Sequence, residues 1–133
     1  MIGILGASGY VGEEFASELI AENVNFREYS RKKHNYYNLE SLLDIIHRDN
    51  LSILINCAGY TGKPNVDTCE DNKEECYEAN VNLARIVATA CSLTDTTLLH
   101  VSSGCIYTGD NEGKGFAEED EPNFSDKSEI KGS

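Results

Sequence analysis

No apolar run in this chain approaches the roughly 18 residues that a membrane span requires, so a transmembrane helix is excluded. Basic residues are scarce: 11 Lys and Arg stand against 23 Asp and Glu, for a formal charge of −12. So negative a chain repels phosphate backbones, which argues against general nucleic-acid binding. An anionic ligand would have to be held by local geometry. The N-terminal Met1-Ile2-Gly3-Ile4-Leu5 lacks the basic region and cleavage-site pattern of a secretory leader. Close Cys-x-x-Cys pairs, which zinc sites favour, are missing as well. The five cysteines (Cys57, Cys69, Cys76, Cys91, Cys105) are scattered, and His34, His47 and His100 show no ligand spacing. The expectation is a reduced, cytoplasmic chain with mostly buried thiols and no metal.

What is present is enough for one core: 133 residues, 40% of them hydrophobic, with charges of both signs. Met1 to Leu5 reads as a short buried strand. Glycines follow at once, and then Val11, Phe15, Ala16, Leu19 and Ile20 recur at helical spacing. Val24 to Ser30 reads as a second strand, and Leu39, Leu42, Leu43 and Ile46 mark an amphipathic helix ending near Arg48. The run Leu51 to Ala58, stopped by Gly59, has the composition of a strand buried on both faces. Asp67-Thr68-Cys69-Glu70 has capping-box spacing and predicts a short helix. Leu83, Ile86, Val87, Ala90 and Cys91 form the strongest helical stripe, and Thr97 to Ser102 is the last strand. Strands alternating with helices predict a doubly wound α/β fold, a parallel Rossmann-like sheet in order 3-2-1-4-5. Its third strand would be short or lost around His34 to Tyr37. No segment repeats. The composition changes at Thr108, which sets expected boundaries of 1–107 for the folded domain and 108–133 for an acidic loop and flexible tail.

The strand, the spacing Gly6-x-x-Gly9-x-x-Gly12 and the helix after it form the context in which a glycine motif points to a dinucleotide. Gly6 allows the tight turn, Gly9 lets backbone approach a pyrophosphate, and Gly12 permits close helix–strand packing. The N–H groups of Ser8, Tyr10 and Val11 complete an anion cradle at the helix start. The competing reading is a glycine turn with no ligand. At the end of the second strand, Ser30 and Arg31 suit a 2′-phosphate and hence NADP(H). A solvated basic turn is the alternative there, and Glu28 is a competing acid if the strand ends earlier.

Three further segments carry a resemblance: Asn56-Cys57-Ala58-Gly59, then Gly62-Lys63-Pro64-Asn65-Val66-Asp67-Thr68-Cys69-Glu70, then Ser102-Ser103-Gly104-Cys105-Ile106-Tyr107. With the glycine turn, and with Gly115-Phe116-x-Glu118-Glu119-Asp120 later, they resemble the extended short-chain dehydrogenase/reductase superfamily. Within it, they are similar to the 3,5-epimerase/4-reductases that make nucleotide-linked rhamnose. The resemblance covers residues 1 to about 125. It implies NADP(H) as cofactor and a nucleotide-linked 4-keto-6-deoxyhexose as substrate, epimerised at C3 and C5 and then reduced at C4. It implies that Ser103 bonds the substrate carbonyl and that Cys105 acts as acid or base at the sugar carbon. Cys105 as a small buried hydrophobe weighs equally. Cys57, Ala58, Gly59 and Tyr60 would line the cofactor, with Thr61 and Lys63 toward the substrate. Asn80 matches a cofactor-side Asn, although a helix cap would use the same residue. An exposed lysine needs no ligand to explain Lys63.

The superfamily's Tyr-x-x-x-Lys, expected on the helix that follows the last of these segments, does not occur there, because no Tyr follows Tyr107. The resemblance therefore implies about half of such an enzyme, truncated before the substrate domain. A complementing C-terminal half, a homodimer, or a non-catalytic NADP-binding remnant are the arrangements open to it.

Overall fold

The computed structural model describes residues 1–62, 67–103 and 106–123. The chain divides into two compact units, Met1–Val101 and Ser102–Ser133.

In the first unit, four parallel strands form one sheet: β1 (Ile2–Leu5), β2 (Phe26–Tyr29), β3 (Ile53–Asn56) and β4 (Thr97–His100). Their spatial order is β2-β1-β3-β4. The chain steps from β1 outward to β2 through α1 (Tyr10–Ala21) and returns past β1 to β3 through α2 (Leu39–Arg48). The sheet is thus wound in both directions from β1, and its switch point lies between the carboxyl ends of β1 and β3. This is the expected doubly wound architecture. The third strand of the order 3-2-1-4-5, expected to be short or lost around His34 to Tyr37, is lost, which leaves four strands. Ser30 to Asn38 is rich in Asn, His and Lys and has no alternating apolar run. It folds instead as turns, with the N–H groups of Lys33 and His34 both donating to the Ser30 carbonyl at 3.0 and 2.9 Å. Tyr36 is nonetheless buried and stacks on Tyr37.

Alternation along each strand separates two apolar layers. Ile4 and Ile55 face α1, where they pack with Ala7 and Ala16. Leu5 and Leu54 face the other way, onto α2 and α5 (Leu83–Leu93). Helix α2 buries Leu42, Ile45 and Ile46, one helical stripe, and opens on Asn38, whose Oδ1 accepts from the Ser41 N–H at 3.0 Å. Helix α5 buries Leu83, Val87, Ala90 and Cys91. Each of the larger of these side chains is worth about 1.5–3 kcal/mol on full burial.

Helices α1, α2 and α5 stop in the same way. Asn23, Asn50 and Asp95 take the left-handed conformation at φ 55, 48 and 53°. The next N–H in each case returns to a carbonyl five residues back: Val24 to Leu19, Leu51 to Ile46, Thr96 to Cys91. This closure usually uses glycine, and short Asx side chains tolerate it here. At the foot of α2, Asp49 receives the Tyr29 hydroxyl at 2.7 Å and pairs with Arg48 at 2.8 Å and Arg27 at 3.7 Å. The Arg48 and Tyr29 hydrogen bonds hold its carboxyl at about 2. Burial, then Asp49 itself, pushes the Tyr29 phenol up.

Between β3 and β4 lie α3 (Thr68–Asp71), α4 (Lys73–Tyr77) and a π turn (Glu78–Asn82) that runs directly into α5. In the second unit, Tyr107 stacks on Phe116 with ring centres 4.4 Å apart, and its hydroxyl donates to the Asp120 carbonyl at 2.8 Å. Thr108 and Asn123 exchange two hydrogen bonds, and Asn111 Nδ2 donates to the Gly115 carbonyl. The acidic stretch after Thr108 is therefore a looped segment held by its own side chains.

Candidate functional site

The switch point is built by backbone crowding. Gly6 sits at φ 76°, and a Cβ there would lie 2.7 Å from the Ala58 nitrogen. The turn after β1 and the loop after β3 thus touch through a position that only glycine fills. A Cβ on Gly12 would strike the Gly6 carbonyl oxygen and sit 2.7 Å from the Ala7 Cα. Gly9 differs: the nearest atom to a Cβ is the Gly6 oxygen at 3.4 Å, an ordinary contact. Two of the glycines are required by packing, and the third leaves open space where its backbone faces outward.

Gly9 is also the N-cap of α1 and provides no side-chain cap. The first-turn N–H groups of a helix have no partner within the helix. Those of Tyr10, Val11 and Gly12 therefore remain for a ligand, at the positive end of the helix dipole. Ser8, Gly9, Tyr10 and Val11 are all exposed, Tyr10 at 84%.

Beside this helix start lies a cleft of about 160 Å³. Ala7 and Ser8 form one wall, the end of β2 (Glu28, Tyr29, Ser30) another, and Lys33 and His34 a third. Its volume is below that of a whole-ligand pocket and suits one part of a larger ligand. The His34 ring meets Tyr29 edge-on at 5.1 Å, and its Nδ1 is buried with no hydrogen-bond partner among the described residues. Ser30 stands where the sequence places it. Arg31 does not line the cleft: its guanidinium is 3.9 Å from Glu75, and Lys33 is the basic residue in the wall. Glu28, the competing acid, is in the wall too.

The loop after β3 carries Cys57, Ala58, Gly59, Tyr60 and Thr61. It is fixed at both ends by asparagines. Asn56 is buried, takes the Ala58 N–H on its Oδ1 at 3.1 Å, and meets His100 Nδ1 through its Nδ2 at 3.1 Å. Because an amide Nδ2 can only donate, this bond selects the His100 tautomer with a bare Nδ1. Asn80, in the π turn, bonds both backbone groups of Tyr60 at 2.8 Å, so it braces the loop and does not cap a helix. A Cβ on Gly59 would lie 3.0 Å from Asn80 Oδ1, which is why the brace comes so close. π turns often occur at functional sites. Burial, then Glu75 and the Cys69 and Cys76 thiols, pushes the Tyr60 phenol up, and burial does the same to the Cys57 thiol.

Ser103 follows β4 by three residues and is exposed. Lys63 and Cys105 lie outside the described residues. Sequence reasoning missed the Asn56–His100 pair, the Asn80 brace, and Lys33 and His34 in the cleft wall. The polar Asn56 ending an apolar run was the available signal for the first. Among the described residues, no helix is long and apolar enough to cross a membrane.

A two-way-wound parallel sheet, with a glycine turn and a bare helix start at its switch point, defines the Rossmann-like class of α/β proteins. Within that class the particular family is set by comparison. The family model described as RmlD substrate binding domain matches residues 1–125, and the chain belongs to that family. It is 33% identical over 127 residues to the trifunctional UDP-glucose 4,6-dehydratase/UDP-4-keto-6-deoxy-D-glucose 3,5-epimerase/UDP-4-keto-L-rhamnose-reductase RHM1 of Arabidopsis thaliana, covering 92% of this chain and 18% of that protein. It is 32% identical over 127 residues to the bifunctional dTDP-4-dehydrorhamnose 3,5-epimerase/dTDP-4-dehydrorhamnose reductase of the same plant, covering 92% and 41%. Among solved structures it resembles dTDP-4-dehydrorhamnose reductase from Bacillus anthracis in complex with NADP. The TM-score is 0.72 at 28% identity, over 82% of this chain and 38% of that one. The chain spans less than half the length of each of these relatives.

Proposed function

We propose that the chain is the NADP(H)-holding part of a nucleotide-sugar 3,5-epimerase/4-reductase acting on a nucleotide-linked 4-keto-6-deoxyhexose. The observation that carries this reading is the uncapped start of α1 on Gly9, opening beside a cleft walled by Ser8, Ser30 and Lys33. The residues fit the cofactor. The open space at Gly9 admits a pyrophosphate against the N–H groups of Tyr10, Val11 and Gly12. The cleft has the size of a sugar with its phosphate.

In this reading Gly6, Ser8, Gly9, Tyr10, Val11 and Gly12 hold the pyrophosphate. Ser30 and Lys33 hold a 2′-phosphate, with Arg31 nearby in sequence. Cys57, Ala58, Gly59 and Tyr60 form the wall that Asn80 keeps in place. When bound, the cofactor supplies a hydride. Ser103 bonds the sugar carbonyl, Cys105 exchanges the proton at the epimerised carbon, and Thr61 and Lys63 belong to the substrate side. The activities in the names of the Arabidopsis and Bacillus proteins support the substrate class and the reduction in this reading. Within residues 1–133 no Tyr follows Tyr107, so a titration of this stretch reads cofactor binding apart from turnover.

Calorimetric titration with NADPH and then NADH tests the reading. Saturable binding that favours NADPH, with no ketone reduction by the isolated chain, is the expected result. A folded chain that binds neither would overturn it, and a non-binding, dimerising remnant would then be the better account.

A further inference from the structure

One helical run is tied to the loops on both sides of β1. Helix α4 (Lys73–Tyr77) passes directly into the π turn Glu78–Asn82. From that turn Asn80 grips both backbone groups of Tyr60, in the loop after β3. From α4, Glu75 reaches the other way: its Oε1 lies 3.9 Å from Arg31 Nη1, in the turn after β2. Strands β2 and β3 are the two neighbours of β1, so these contacts bracket the carboxyl end of β1, where the glycine turn opens. The other ion pairs among the described residues lie elsewhere. Arg27 and Arg48 converge on Asp49 at the foot of α2, and Lys73 pairs with Glu70 three residues back.

The Arg31 and Glu75 side chains are 62% and 54% exposed. An ion pair so open to water is screened and holds the fold weakly. At 3.9 Å it is also longer than a hydrogen bond. A guanidinium makes two parallel hydrogen bonds to a phosphate, a stronger arrangement. Ser30 and Lys33, on either side of Arg31 in the same turn, line the cleft, whereas Arg31 does not. A phosphate group in the cleft and the Glu75 carboxylate therefore compete for one cation.

We propose that Glu75 sets the strength of the preference for the phosphorylated cofactor by holding Arg31 off the cleft. Glu75 is a positioning residue: it acts through Arg31 and touches no cofactor itself. The inference rests on the proposed function, because only a cofactor with a 2′-phosphate offers Arg31 another partner there. While Glu75 keeps its charge, Lys33 carries the phosphate contact, and discrimination against NADH stays below what the run Arg31-Lys32-Lys33 is able to give. Without that charge, Arg31 turns to the cleft and supplies a second cation. The change needed is rotation of an exposed side chain, with the backbone of the turn kept in place by the Ser30 carbonyl.

The test titrates the full chain, Glu75→Gln, Arg31→Ala and the double variant with NADPH and with NADH, beside urea unfolding of each. Glu75→Gln should bind NADPH about threefold more tightly, the scale of one exposed ion pair, and bind NADH as the parent does. Its unfolding midpoint should match the parent's. The gain should vanish in the double variant, whose NADPH affinity should equal that of Arg31→Ala. NADPH affinity left unchanged or weakened by Glu75→Gln would overturn the proposal. So would an equal gain for NADH, the mark of a general charge effect. A gain that survives without Arg31 would overturn it too, since Glu75 would then repel the phosphate directly. A lowered midpoint with weaker binding of both cofactors would make Glu75 a structural residue. A folded parent that binds neither cofactor refutes the proposed function, and this inference falls with it. NADPH binding that ignores Glu75 refutes the inference alone.

Discussion

Substituting alanine at each glycine of the turn separates packing from binding. At Gly12 the new methyl would strike the Gly6 carbonyl oxygen and come within 2.7 Å of the Ala7 Cα. Both obstacles are backbone, so neither can rotate away. Overpacking of this kind costs about 1–3 kcal/mol, against which alanine regains at most about 1 kcal/mol of helix propensity. The net loss should be about 1–2 kcal/mol. With a urea dependence of about 1–3 kcal/mol per M for a small domain, the unfolding midpoint should fall by roughly 0.3–2 M. Gly6→Ala should cost at least as much, because it adds the roughly 1–2 kcal/mol of a left-handed backbone to a 2.7 Å approach to the Ala58 nitrogen. Gly9→Ala should be nearly silent in the same assay. Its nearest neighbour is at 3.4 Å, and the poorer N-cap costs less than about 1 kcal/mol. In an NADPH titration Gly9→Ala should lose at least tenfold, about 1.4 kcal/mol, because its methyl enters the space left for the pyrophosphate. Gly9→Asp should abolish binding, since it adds a negative charge there. If Gly9→Ala unfolds as early as Gly12→Ala, or if Gly9→Asp keeps the parent affinity, the division of labour argued for this turn is wrong.

Two further outcomes are expected. Asp49→Asn should destabilise the chain at neutral pH and much less in acid. The folded carboxyl sits at about 2 against an ordinary 3.8, so its contribution is fully present above the ordinary value and disappears as pH falls through the folded one. Urea midpoints of parent and variant measured down the acid limb should converge between roughly pH 4 and 2, and a constant gap would refute the linkage. Lys33→Ala should weaken NADPH about tenfold with little change for NADH, on the scale of one charged hydrogen bond. Arg31→Ala should do less, because that guanidinium leans toward Glu75, and a larger loss from Arg31 would return the phosphate contact to it.

Much of the core was legible in the sequence because periodicity and burial are the same fact stated twice. Leu83, Val87, Ala90 and Cys91 repeat at helical spacing and are all buried. Ile53 to Ile55 reads as a continuous apolar run because its two faces serve two helix layers. The glycine turn was legible for a similar reason: backbone crowding leaves no choice of residue at Gly6 and Gly12. What escaped depends on partners distant in the chain. Asn80 read equally as a cofactor-side residue or a cap, because a single asparagine at a helix start says nothing of the Tyr60 backbone 20 residues earlier. Lys33 and Arg31 are chemically alike and two residues apart, and only the turn from Ser30 to His34 decides which one faces the cleft. The α2 stripe did mark its end near Arg48, but the left-handed closure of the helices was hidden because Asn23, Asn50 and Asp95 do what glycine usually does.

The π turn at Glu78–Asn82 makes helix length a phase setting. A π turn closes its hydrogen-bonded ring with one residue more than an α turn. The helical faces before and after it are therefore offset by about 100°, one residue's rotation. The Leu83 stripe can then be aimed at the sheet while Asn80 independently meets the Tyr60 loop. Removing Val81 or Asn82 would leave a smooth helix, with the stripe still seated in the core. The amide would swing out of line with the strand loop it grips, so an unbroken helix would hold the fold and lose the alignment.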